Sequence, residues 1–131
     1  MYKGRLPALP AILILAALTA GCGVESMLDD ARKGRLSALA TAQATTEAWA
    51  RGQVSPKFAR LAFSAARTRV EKDRARLARR DEVAADDRVR SMLAELERVS
   101  ARLAQLATAA EHSDVSTAAA LARDTPPPPE P

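Results

Sequence analysis

An all-α domain, built as a small three-helix up-down bundle, is predicted by three features of this 131-residue chain. Alanine, the best helix former, supplies 25 of residues 22–131, while aromatic residues make up only 3% of the chain. Glycine and proline are absent from Lys57 through Thr125. Between Val89 and Ala110 the apolar residues Val89, Met92, Leu96, Val99, Leu103, Leu106 and Ala110 recur at alternating spacings of three and four, the pattern of heptad-like helix packing.

The first helix of the domain is expected from about Glu25 to Arg51, ended by Gly52 in the position past a helix terminus that glycine favours. Ser55-Pro56 then opens a second helix, with a hydroxyl at the N-cap and proline at the first helical position, where its missing N–H costs nothing. This helix is expected to reach about Arg80, and its stripe is Phe63, Val70 and Leu77. Extending that stripe leads to Ala84 and Ser91 rather than Val89 and Met92, so the apolar face shifts and the chain turns or stutters between Asp81 and Asp87. Asp81, Asp86 and Asp87 are candidate N-caps for a third helix ending near Glu111. Three segments of similar length suit an up-down-up bundle. The alternative is a long two-helix hairpin whose second arm runs unbroken from Pro56 to Glu111, ~80 Å at 1.5 Å per residue. Residues 113–131 read as a flexible tail. Ser113 to Arg123 has room for one short helical turn, and Pro126-Pro127-Pro128-Pro129-Glu130-Pro131 favours an extended, disordered end or a docking peptide.

The N-terminal 22 residues carry a different signal. Lys3 and Arg5 precede an apolar run from Leu6 to Leu18 of about 13 residues, short of the ~20 that a spanning helix needs. Small residues follow, in the order Leu18-Thr19-Ala20-Gly21-Cys22. The segment resembles the signal peptide and lipobox of bacterial lipoproteins. The resemblance makes residues 1–21 a signal peptide, Leu18, Thr19, Ala20 and Gly21 the peptidase recognition site, and Cys22 the lipidated first residue of the mature chain. It also implies a diacylglycerol on the cysteine sulfur and an acyl chain such as palmitate on its nitrogen. The resemblance ends at Cys22; the residue pattern places a short tether at 22–24 and the helical domain at 25–112. Several acyl chains at ~0.8 kcal/mol per buried methylene hold a protein at a bilayer essentially permanently. Gly23 in place of Asp after the cysteine implies, within the same resemblance, the periplasmic face of the outer membrane. The alternative is an ordinary signal peptide cut after Ala17 or Ala20, leaving Cys22 a free thiol.

Loss of Lys3 and Arg5 with the signal lowers the formal charge from +4 to +2. The strongest remaining charge feature is Arg67, Arg69, Lys72, Arg74, Arg76, Arg79 and Arg80 on the second helix, with Glu71 to Arg74 and Asp73 to Arg76 spaced to pair. A row of this kind is most often a solvated face; the sharper reading is a contact surface for anionic lipid headgroups, lipopolysaccharide phosphates or an acidic protein. Export removes nucleic acid as a partner. Trp49, Phe58 and Phe63 flank the first turn and are expected to bury together.

Catalytic chemistry has few candidates. His112 is the only histidine, placed at a helix end where it caps carbonyls. With Glu111 and Asp114 it forms no convincing zinc or copper set. Gly23, Gly34 and Gly52, the glycines after the signal, make no phosphate loop. The expectation is a non-catalytic structural or protein-interaction module of the bacterial cell envelope, without a cofactor beyond the lipid on Cys22, bound to the membrane by that anchor. Its partners would be an envelope protein or a second copy through the Val89–Leu106 seam; the alternative is a carrier of lipid or small ligands or a binder of anionic envelope surfaces.

Overall fold

A computed structural model describes residues 8–79 and 86–123, with side chains from Gly23 onward. The described residues are all-α: α1 (Ala8–Ala50), α2 (Pro56–Ala78), α3 (Asp87–Glu111) and α4 (Val115–Arg123), with no strand among them. Lys3, Arg5, the candidate cap Asp81 and the proline run lie outside the described residues, and so do the side chains of Leu18 to Cys22.

The backbone of α1 is helical from Ala8, upstream of the start expected near Glu25. Alanine, leucine and isoleucine dominate residues 8–18, and nothing after Pro10 forces a break, because Gly21 and Gly23 each lower helix propensity by only about 1 kcal/mol. The helix ends as the glycine predicted. Gly52 adopts φ +73°, and the Gly52 and Gln53 N–H groups donate to the carbonyls of Trp49 and Ala48 at 2.9 and 2.8 Å. This is the Schellman arrangement, in which a left-handed residue satisfies the last helical carbonyls.

Ser55 caps α2, its hydroxyl accepting from the Phe58 N–H at 3.1 Å with Pro56 at the first position. Asp86 caps α3, accepting from the Arg88 N–H at 2.9 Å. Hydrogen bonds from Arg88 hold the Asp86 carboxyl below the usual carboxylate range. The second and third helices are therefore separate elements, and α2 packs against α3 more extensively than any other pair does.

Each long helix buries a stripe spaced alternately three and four. On α3 the stripe is the one read from the sequence, Val89 through Ala110, and all seven of its residues are buried within this fold. On α2 it is Ala59, Phe63, Ala66, Val70 and Leu77, with half-buried Asp73 at the intervening place. On α1 it is Leu28, Ala31, Arg35, Ala38, Ala42, Thr45 and Trp49. Trp49 and Phe63 join the core as expected, but Phe58 does not and is 55% exposed. The cause is angular: Phe58 precedes Ala59, a buried position, by one residue, or about 100° around the helix.

The ordered fold continues past His112, the expected domain boundary. Ser113, at φ +54°, repeats the Schellman turn without a glycine, since the Ser113 and Asp114 N–H groups donate to Ala110 and Ala109 at 3.1 and 2.8 Å. Asp114 then caps a nine-residue α4, accepting from the Thr117 N–H at 3.1 Å and hydroxyl at 2.6 Å. Those bonds hold its carboxyl below the ordinary range. Ala118 is fully buried and α4 packs on both α1 and α3, so residues 115–123 belong to the helical domain rather than to a flexible tail.

A left-handed serine carries a steric cost that glycine does not. Ser113→Gly is therefore expected to stabilise the protein by about 1 kcal/mol, read from the urea midpoint at unchanged slope. An unchanged or lowered midpoint would reject the strained turn.

Candidate functional site: a cationic groove between two helices

The seven basic residues of the second helix form one row in the sequence, and the structure divides those it describes. Arg67 and Arg74 turn toward α3. The Arg67 guanidinium donates to the Ser100 hydroxyl at 3.3 Å, and that hydroxyl donates to Glu71 at 2.5 Å. Arg74 pairs with Glu71 at 3.4 Å. The Ser100 hydrogen bond, assisted by Arg74, holds the Glu71 carboxyl below the usual range. Its charged form thus favours the fold above the ordinary carboxylate pKa, and the contribution fades as acid protonates it. Arg79 is exposed at the C-cap of α2, and Arg80 lies outside the described residues.

Arg69, Lys72 and Arg76 form the other set. They share one stripe of α2 and line a groove of about 720 Å³ between α1 and α2. Lys33 of α1 stands on the opposite rail, and the floor consists of Gly34, Ser37, Ala38, Thr41, Ala62, Ala65 and Ala66. These short side chains follow from the seams: an alanine-rich interface lets two helices approach closely, and the residues flanking it are small as well. Among the described residues Arg69, Lys72 and Arg76 make no ion pair, while Lys33 pairs with Asp29 one turn earlier at 3.1 Å.

Asp73 is the one acid lining the groove. It does not pair with Arg76 as the spacing suggested. Its carboxylate lies over Gly34, where a β-carbon would collide with it. Burial pushes its pKa up, opposed in part by Arg76. The groove therefore carries three cations without ion pairs among the described residues, Arg69, Lys72 and Arg76, against one partly desolvated carboxylate, while Lys33 is already paired with Asp29 and Asp30 adds its charge nearby. The α2 side of the groove suits an anionic group better than a neutral one.

Lys33 was not identified from the sequence. It lies on another helix, and only the α1 seam, written in alanine, threonine and arginine, would have shown that it faces Arg76 and Lys72. His112 sits at the C-cap of α3, its N–H donating to the Thr108 carbonyl at 3.1 Å. Among the described residues no group of three or more His, Cys, Asp or Glu is placed to hold a metal ion. No described helix is long and apolar enough to cross a membrane. Comparison with known proteins finds no matching family model, no similar curated protein and no similar solved structure.

Proposed function

We propose that this protein is a lipid-anchored bacterial envelope protein whose helical domain acts as a non-catalytic interaction module. The observation that carries the reading is the order of Lys3 and Arg5, the apolar run Leu6–Leu18 and the small residues Leu18-Thr19-Ala20-Gly21 ahead of the chain's single cysteine, Cys22. Under this reading residues 1–21 are removed, Cys22 carries the lipid, and the mature protein faces the periplasm from the outer membrane. The three long helices then form an up-down-up bundle beside the bilayer, α1 leading from the anchor, and the proline run at the end is an extended tail. The interaction role is supported by surface chemistry. A cationic groove and three exposed large apolar side chains, Leu36 on α1 and Phe58 and Leu61 one turn apart on α2, are features a partner can use.

A second reading, a binder of anionic envelope surfaces, draws on the same cations. The experiment for the anchor is mass spectrometry of the N-terminus from native membranes, combined with fractionation of Cys22→Ser. The expected results are a lipid-modified Cys22 at the N-terminus and release of the variant from its membrane site of attachment. An unmodified cysteine, or cleavage after Ala17 or Ala20, defeats the reading.

A further inference from the structure

We propose that the α1–α2 groove and the adjoining N-terminal turns of α2 dock an amphipathic acidic helix of a partner protein. The surface of α2 that borders the groove is a single straight stripe, Phe58, Ala62, Ala65, Arg69, Lys72 and Arg76, spaced alternately four and three. Its chemistry changes along its length. Phe58, with Leu61 beside it, is 55% exposed at one end; alanines occupy the middle; three cations without ion pairs among the described residues occupy the other end, faced by Lys33.

Periodicity argues for a helix as the occupant. The cations at 69, 72 and 76 cover about 10 Å at 1.5 Å per residue, so a helix lying alongside presents acids at the same three-and-four spacing. The floor of alanine, serine and threonine admits the backbone of such a helix closely, although Gly34 itself is covered by the Asp73 carboxylate. A compact phosphate would engage one end only and leave Phe58 and Leu61 without a role. The matching helix has acids over Arg69, Lys72 and Arg76 and large apolar side chains over Phe58 and Leu61, the arrangement by which helices are bound in grooves.

The membrane is a poorer occupant, and this step rests on the anchor proposed above. Asp73 lies beside Gly34, while α2 begins just after α1 ends at Ala50, so the two helices are antiparallel. The cationic end therefore lies toward Cys22 and the apolar end away from it. From Cys22 to Ala50 is roughly 42 Å of helix. Anionic headgroups at the anchor would meet only the cationic end and leave Phe58 and Leu61 without a partner, and a surface built to enter a bilayer would carry its apolar end next to the anchor.

The test uses the full chain in detergent and a labelled synthetic peptide of about 20 residues, long enough to hold a helix alone. One face carries glutamates at three-and-four spacing in one half and leucines in the other. A second peptide replaces every glutamate by lysine. Fluorescence anisotropy at about 0.15 M salt, where long-range attraction is largely screened, is expected to show saturable binding of the acidic peptide only. Arg69→Glu/Lys72→Glu/Arg76→Glu and, separately, Phe58→Ser/Leu61→Ser should each weaken it about tenfold or more, with helix content by circular dichroism unchanged. Two results overturn the proposal: equal binding of both peptides, or binding insensitive to the serine pair. Flotation of the Cys22→Ser chain with phosphatidylglycerol vesicles, if lost in the triple charge reversal, assigns the cations to the membrane and also overturns it. Because none of these readouts needs lipid on Cys22, an unmodified cysteine would defeat the anchor while leaving the groove test intact.

Discussion

Phe63→Ala is expected to cost about 3–5 kcal/mol of folding stability, the range for deleting a buried aromatic side chain. Phe63 is fully buried on the seam of α2, flanked along that seam by Ala59 and Ala66. Neither neighbour has atoms that could move into the cavity, so relaxation recovers little of the loss. The effect is large against a total of about 5–15 kcal/mol for a domain of this kind. An alanine-rich core concentrates its apolar burial in a few side chains, and Phe63 is the largest of the fully buried ones. Phe58→Ala, five residues earlier and 55% exposed, is the internal control and should change stability by under about 0.5 kcal/mol. Urea unfolding of both variants gives the comparison. Equal effects would mean that α2 is rotated about its axis from the position described.

That rotation is where sequence reading had least to work with. The α3 seam was legible because Val, Met and Leu mark every place in it except the last. On α2 only each second place was visible. Phe63, Val70 and Leu77 stood out at a spacing of seven, but the intervening places are Ala59, Ala66 and Asp73, and alanine occurs on every face of this chain. On α1 the seam holds two strong markers, Leu28 and Trp49, separated by alanine, threonine and a buried arginine. No periodicity of large apolar residues could disclose it. The same gap hid half of the candidate site. With α1 unphased, nothing told which of the seven cations face it, and at 100° per residue Arg67 and Arg74 point away from Arg69, Lys72 and Arg76. The turn at Ser113 was missed for another reason: a left-handed C-cap position is normally announced by glycine.

The buried arginine should make the pair Arg35–Glu95 the second most sensitive point of the fold. Arg35 occupies a seam position of α1, and its guanidinium reaches Glu95 of α3 at 2.5 Å. Its Nε is buried without a hydrogen-bond partner among the described residues. Glu95→Ala would leave a guanidinium in the core with neither charge nor acceptor opposite it, and the expected loss is about 2–3 kcal/mol. The full range for a broken buried pair is discounted because the Glu95 side chain remains one-third exposed. Removing both partners should behave differently. Arg35→Met keeps an unbranched chain of similar reach and needs no acceptor, so Arg35→Met/Glu95→Ala is expected to be at least as stable as the parent chain. The stability of the double variant against the parent chain and against Glu95→Ala separates two accounts of the pair. If the double variant is stable and the single glutamate variant is not, the ion pair exists to satisfy a charge that the core tolerates rather than to strengthen it. A double variant as weak as Glu95→Ala would instead make the bridge a net stabiliser. Few other contacts join α1 to α3, since α1 packs chiefly on α2. Arg35–Glu95 and the outer pair Glu25–Arg88 at 3.3 Å are the ion pairs among the described residues that tie these two helices side by side. Hydrogen exchange in the first half of α1 should therefore accelerate in Glu95→Ala beyond the global change and return toward the parent rate in the double variant.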